Sequence, residues 1–263
     1  MKIYWTKINE IIEETPEVKT YLLDCPKDFT WEEGSFTHFA LEGFNSGDKP
    51  NRELVRHMSI STLPHEDTIG ITTRIRENCS EFKSVLRNLD VGSNVALFKT
   101  YTNVPLRRED KNVYLLSQGV GLATFRPLVL DYFERADNIK HIHSLNIDSS
   151  KDFLFTHIFD PAPDKKFTSQ FIDNRQDYYE EVKNLAADKD GIFYVVGSDE
   201  FLVQNIDVLR EQGIKPEQIM LDKHEQERLE FLPVDLSILA RLGKYNIRLI
   251  CVKMEQNKII VNR

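Results

Sequence analysis

The chain has 263 residues, 41% of them hydrophobic and 29% charged, with 34 Lys and Arg against 42 Asp and Glu for a net charge of -8. That length accommodates two domains, each burying its own core, and the composition is that of an ordinary globular protein. The acidic balance excludes nonspecific nucleic-acid binding, which needs a basic face to displace counterions, and no run reaches the roughly eighteen apolar residues of a membrane span.

Met1-Lys2-Ile3-Tyr4-Trp5 leads straight into strand-like sequence with no apolar signal core. Cys25, Cys79 and Cys251 are scattered and lack CxxC spacing, which predicts reduced thiols in a cytoplasmic protein and neither a disulfide frame nor a metal cluster. Residues 3–13 and 18–23 are apolar-rich runs joined at Thr15-Pro16, a strand, turn and strand. Phe29-Thr30-Trp31 leads to Glu33-Gly34-Ser35-Phe36 and a further run at 39–41. A polar loop at 45–51 precedes strands at 56–61, 69–75 and 95–98, with a turn at Leu63-Pro64-His65. About six short strands separated by turn signals predict a small antiparallel barrel.

One helix interrupts this barrel. Phe82, Val85, Leu86 and Leu89 recur at i, i+3, i+4 and i+7, with Ser80 as the expected N-cap and Gly92 beyond the end. The free N–H groups of Glu81, Phe82 and Lys83 predict an anion site favoured by the helix dipole. Lys83 in the first turn opposes that dipole unless an anion sits there. Capping alone also accounts for Ser80, and core packing alone for Phe82.

After a polar stretch at 101–110 the pattern changes. Val113-Tyr114-Leu115-Leu116 is a continuous apolar run, the mark of a strand buried on both faces. It ends in Gly119-x-Gly121 and a helix at 124–134. Runs at 142–145, 192–196 and 219–221 predict further strands, and 175–185 and 200–211 predict helices. Alternating strands and helices mean a parallel sheet with crossovers. The predicted organisation is a barrel domain at 1–104, an α/β domain at 105–225 and a C-terminal extension at 226–263. In the extension, a helix at 236–242 and a hairpin from 247–254 and 258–261 either pack on the α/β domain or pair with a second subunit as a homodimer.

Several residue patterns carry chemistry. On one strand, Arg56 can fork onto phosphate oxygens, Met58 can lie against a flat ring and Ser59 can bond a ring heteroatom. Taken alone, these residues describe an edge strand with a surface arginine better than a ligand site. Gly119 and Gly121 form the turn that lets a ligand approach the backbone beyond the first parallel strand, and Gly197-Ser198 closes the same crevice from its other side. His141 and His143 alternate on a strand as a metal pair does, but no Cys or carboxylate completes a site, so no metal is expected.

Together these elements resemble the ferredoxin–NADP reductase family, in its order, over roughly residues 3–225. Arg56-His57-Met58-Ser59 is similar to the family's Arg-x-Tyr-Ser flavin motif, and Ser80-Glu81-Phe82-Lys83 resembles its Ser-x-Phe-Lys phosphate helix. The run from Gly119 through Gly121, Leu122, Ala123 and Thr124 to Phe125 and Arg126 is similar to Gly-Val-Gly-Ile-Thr-Pro-Phe. Phe193-Tyr194-Val195-Val196-Gly197-Ser198 stands where the family has Tyr-Val-Cys-Gly-Pro. The resemblance implies a barrel that binds FAD through Arg56, His57, Met58, Ser59, Thr72, Thr73, Arg74, Ser80, Glu81, Phe82 and Lys83, with Ser59 as the catalytic side chain. It implies NAD(P)H at Gly119, Gly121, Leu122, Ala123, Thr124, Gly197 and Ser198. Hydride passes between stacked rings, so the protein supplies position and electrostatics. A ferredoxin, a flavodoxin or another redox acceptor is the implied partner, although the acidic chain shows no basic docking cluster.

The pattern departs from the family at Met58, Ala123, Thr124, Val196 and Ser198, which implies weaker or altered nicotinamide binding. The alternative is therefore an FAD-binding electron-transfer or interaction protein of the same fold, and a third reading is an α/β nucleotide-binding protein without flavin. Where the family has Ser-Arg to hold a 2′-phosphate, Asp148 would repel one and Arg175, Lys165 and Lys166 would compensate. The choice between NADH and NADPH stays open.

Overall fold

Apolar residues alternating with polar ones build six strands in the front half: β1 (Tyr4–Thr15), β2 (Val18–Asp24), β3 (Ser35–Leu41), β4 (Val55–Ser59), β5 (Thr68–Arg74) and β6 (Asn94–Thr102). They form one antiparallel sheet in the order β4-β3-β6-β1-β2-β5. The long β1 turns a corner: it pairs with β6 through Tyr4 to Lys7 and with β2 from Ile8 onward, with a register shift between Ile8 and Glu10. The two edges then meet, because Ile60, just past β4, bridges Ile71 on β5 and the Ser61 N–H donates to the Gly70 carbonyl at 2.9 Å. The sheet is thus a closed barrel, as expected, with no exposed edge on that side. Its interior is filled by Ile8, Tyr21, Phe39, Ile69 and Leu97, and the short helix α1 (Glu81–Arg87) plugs one end with Phe82 and Leu86.

The computed structural model describes residues 2–159 and 166–232. The predicted elements at 236–261, Lys165 and Cys251 lie outside the described residues.

Continuous apolar runs then build a parallel sheet of β7 (Lys111–Gln118), β8 (Ile139–Ile147), β9 (Phe167–Ile172), β10 (Ile192–Val196) and β11 (Ile219–Leu221), in the order β11-β10-β7-β8-β9. Helices α2 (Leu122–Glu134), α3 (Thr156–Phe159), α4 (Arg175–Leu185) and α5 (Asp199–Glu211) connect them, and α6 (Glu225–Phe231) follows. The chain leaves the central β7 toward β8 and β9, then returns to place β10 and β11 on the other flank. The strand order therefore reverses between β7 and β10, and a crevice opens there beyond the carboxyl ends. The expected strands and helices of this half are all present. Strand β9 has no apolar signature in the sequence: in Phe-Thr-Ser-Gln-Phe-Ile only the first and last residues are buried, so this edge strand lacks the apolar run of its neighbours.

The architecture changes between Thr102 and Lys111, yet both sheets belong to one compact unit, Met1–His224, with Glu225–Arg263 forming a second. Among the described residues no helix is long and apolar enough to cross a membrane.

Candidate functional site

A cleft of about 620 Å³ opens where the barrel meets the carboxyl ends of the parallel strands, within the usual range for a small-molecule site. Its barrel wall carries His57, Met58, Ser59, Thr72, Thr73, Arg74 and Arg76, and its sheet wall carries Gly119, Gly121, Ala123, Thr124, Val196, Gly197 and Ser198. Twelve of the residues expected at a site are thus on one surface, although they come from four separate stretches of sequence.

The glycines do different things. Gly119 has φ +53, a left-handed backbone that residues with a Cβ rarely adopt. Gly121 has an ordinary helical backbone, but a Cβ there would lie 2.8 Å from the Val196 carbonyl oxygen, so only glycine lets the start of α2 press against the end of β10. Across the cleft, the Thr124 hydroxyl donates to Ser59 Oγ at 3.0 Å, and Ser59 Oγ donates to Asp222 Oδ2 at 3.0 Å. Asn103 Nδ2 donates to Asp222 Oδ1 at 3.1 Å. Asp222 lies just past β11, and in the sequence a lone carboxylate after a three-residue strand gives no signal.

Arg74 reaches from the end of β5 to the Asp148 carboxylate at the end of β8. Asp148 Oδ1 also accepts from the Ser150 N–H at 3.0 Å and hydroxyl at 2.8 Å. Burial alone would raise its pKa, but Ser150 and Arg74 reverse that and hold it below the usual carboxylate range. This ion pair sits directly on the first glycine turn: a Cβ at Gly119 would lie 3.2 Å from both Arg74 Nη2 and Asp148 Oδ2. Arg74 Nε is buried without a hydrogen-bond partner, since the Glu17 carboxylate is 3.9 Å away.

Other expected site residues lie elsewhere. Arg56 is not in the cleft: its guanidinium donates to the Val55 carbonyl at 2.7 Å, approaches Glu53 at 3.4 Å and lies 5.3 Å from the centre of the Phe82 ring. Ser80 holds the N-cap position of α1 without a side-chain capping bond, and Glu81 opens the first turn outside the cleft. Phe82 and Leu122 are fully buried, so both serve the core. Lys83 needs no anion to explain it, because its ammonium donates to the Arg74 carbonyl at 2.7 Å. Burial holds Lys83 below the usual lysine range; Cys79 opposes this, and Arg74, Arg76 and Arg56 add to it. Four cations therefore gather where α1 meets β4 and β5.

At the barrel rim, His57 Nε2 lies 2.8 Å from His38 Nε2 and its Nδ1 lies 3.4 Å from His224 Nε2. Burial first, then His57 and Lys99, pushes His38 down to about 4. His141 and His143 do not converge on a metal position; both bond the Thr168 hydroxyl, at 3.1 and 2.8 Å.

No family model matches the sequence, and no curated protein matches it significantly. Solved structures do. A ferredoxin NADP+ reductase from Neisseria gonorrhoeae with bound FAD and NADP is similar at a TM-score of 0.72 and 16% identity, over 84% of this chain and 98% of that one. The CS-b5R domains of human Ncb5or in an NAD+ form are similar at 0.70 and 13%, over 84% and 70%. A ferredoxin-NADP+ reductase from Plasmodium falciparum with 2′P-AMP is similar at 0.69 and 14%, over 83% and 95%. At these identities the likeness is one of fold: a six-stranded barrel followed by a five-stranded parallel sheet, the two-domain fold of the ferredoxin–NADP reductases.

Proposed function

We propose that the chain is an FAD-dependent oxidoreductase that passes hydride from NAD(P)H to flavin and electrons on to a protein or small-molecule acceptor. The cleft carries this reading. It joins a barrel wall with a polarizable side chain and hydroxyls to a sheet wall of two glycine turns at the point where strand order reverses. The same fold holds FAD and NADP in the Neisseria gonorrhoeae reductase.

The residues fit a dinucleotide with a diphosphate. Arg56, Arg74, Arg76 and Lys83 concentrate positive charge beside the cleft, and the buried, unpartnered Nε of Arg74 is a donor without an acceptor. Flavin, when bound, supplies a ring that accepts two electrons as hydride. Met58 offers a polarizable surface for packing against such a ring. Ser59 Oγ, which accepts from the Thr124 hydroxyl and donates to the Asp222 carboxylate, keeps a lone pair that can accept a hydrogen bond from a bound ring. The left-handed turn at Gly119 gives a second nucleotide an approach to the backbone after β7 once the Arg74–Asp148 pair parts. A ferredoxin, a flavodoxin or another carrier is the class of protein acceptor this reading implies.

The second reading is an FAD-binding electron-transfer or interaction protein with weak or absent NAD(P)H use, and the Arg74–Asp148 pair lying over Gly119 favours it. Purified protein mixed anaerobically with NADH, then with NADPH, separates the two. Rapid bleaching of the flavin band supports the reductase, and a band that persists with both nucleotides supports the electron-transfer protein. A colourless protein that takes up no added FAD refutes both.

A further inference from the structure

The Arg74–Asp148 pair occupies an unusual place. It joins the barrel to the parallel sheet, it lies against the left-handed Gly119 turn, and both residues line the cleft. Backbone at such a turn, beyond the first parallel strand, is where the phosphates of a bound nucleotide come closest to the chain. Here a guanidinium and a carboxylate already fill that approach. The carboxylate is held from behind by Ser150, whereas Arg74 keeps a buried N–H with no acceptor. Arg74 is thus the less satisfied partner, and a phosphate offers its planar fork more acceptor oxygens than one carboxylate oxygen does.

We propose that Asp148 is an internal stand-in for the diphosphate of a nucleotide ligand: the ligand takes Arg74 from Asp148 at the Gly119 turn, and Asp148 thereby sets how tightly the cleft holds it. This rests on reading the cleft as a dinucleotide site. Asp148 acts twice against such a ligand, as a competitor for the guanidinium and as a fixed negative charge beside the phosphates. Asp148→Asn weakens both effects while keeping the side chain's size and its bonds from Ser150.

Isothermal titration calorimetry on the full chain, freed of bound nucleotide, tests this with ADP, adenosine, NADH and FAD as probes. Asp148→Asn is expected to bind ADP about tenfold more tightly than the parent, one charge-assisted contact's worth, with adenosine affinity unchanged. Arg74→Met is expected to weaken ADP by about the same factor and to abolish the effect of Asp148→Asn in the double variant. Tightening seen with NADH assigns the diphosphate to the nicotinamide nucleotide, and tightening seen with FAD assigns it to the flavin nucleotide. Ser150→Ala loosens Asp148 without removing it and should shift ADP binding in the same direction. It serves as the test if Asp148→Asn does not fold. An ADP affinity that Asp148→Asn leaves unchanged, or equal tightening of ADP and adenosine, overturns the proposal. A colourless protein that still shows the ADP effect defeats the flavin reading alone, and a yellow protein that lacks the effect defeats this one alone.

Discussion

Replacing Arg126 with Met tests what holds the two walls of the cleft together. Arg126, on α2 of the parallel-sheet half, forks onto Glu66 beside the barrel: Nη1 donates to Oε2 at 2.9 Å and Nη2 to Oε1 at 2.7 Å. Nη1 also donates to the Ser61 carbonyl at 2.8 Å. The two side chains are 17% and 23% exposed, so the pair lies between the surface regime of about 0–1 kcal/mol and the buried regime of about 3–5 kcal/mol for breaking a pair. Met keeps the apolar stem, so the loss is mainly the fork and the carbonyl bond, about 2–3 kcal/mol. For a unit of this size that lowers the unfolding midpoint by roughly 4–12 °C. Burial alone would raise the pKa of Glu66, but Arg126 and the Leu63 N–H leave it lowered. A depressed carboxylate stabilises the fold above its unfolded pKa, and that contribution disappears as pH falls through the folded value. Wild type should therefore lose stability on acidification below about pH 4.3 that Arg126→Met has already lost at neutral pH. Urea melts at pH 7 and pH 3.5, with Glu66→Gln and the double variant completing a cycle, measure both effects. A loss under about 0.5 kcal/mol at pH 7, or additive single effects, would show that the fork does not tie the two halves together.

Three further outcomes follow from the same geometry. Gly121→Ala should cost about 1–3 kcal/mol by driving a Cβ into the Val196 carbonyl, read as a lower denaturant midpoint; Gly47→Ala, whose added Cβ would meet nothing closer than 3.7 Å, is the control that should cost nothing comparable. Tyr178→Phe should cost about 1–2 kcal/mol, since it leaves Asn205 Oδ1 buried without the donor now at 3.0 Å, and wild-type stability in the variant would refute that bond's role. His38, held near 4 against about 6.5 when unfolded, refuses a proton that the unfolded chain accepts, so stability should fall as pH drops from about 6.5 toward 4 and then flatten. His38→Gln should remove up to about 1.4 kcal/mol per pH unit of that slope, and parallel pH profiles for parent and variant would count against it.

Much of the fold was legible because each half repeats one simple pattern. Short alternating strands with turn residues gave the barrel, and continuous apolar runs followed by glycine turns gave the parallel sheet. The cleft was legible for the same reason: Ser59, Gly119 and Gly197 each fall at a strand end, and strand ends converge there. Contacts that depend on distant partners were not legible. Arg56 and Lys83 matched a phosphate pattern in sequence, yet their nearest acceptors are the carbonyls of Val55 and Arg74, and no local spacing reveals that. Asp222 and Asp148 looked like ordinary loop acids until the sheets placed one against Ser59 and the other against Arg74.

The ties across the cleft divide by what a ligand does to them. The Arg126–Glu66 fork involves side chains outside the cleft lining, so a ligand leaves it intact. The Thr124–Ser59–Asp222 chain is made of groups that can each accept or donate one more bond, so a ligand can join it without breaking it. Only the Arg74–Asp148 pair covers the turn at Gly119 and must give way before a phosphate can reach that backbone. Of the four cations gathered there, Arg56, Arg74 and Arg76 are matched in ion pairs by Glu53, Asp148 and Glu17, while Lys83 bonds the Arg74 carbonyl. Drawing Asp148 away from Arg74 leaves that charge short by one more carboxylate, and an incoming diphosphate is the group that restores the balance. On the proposal above, affinity at this end of the cleft is governed by an exchange of anions around one guanidinium, while the rest of the site keeps its shape.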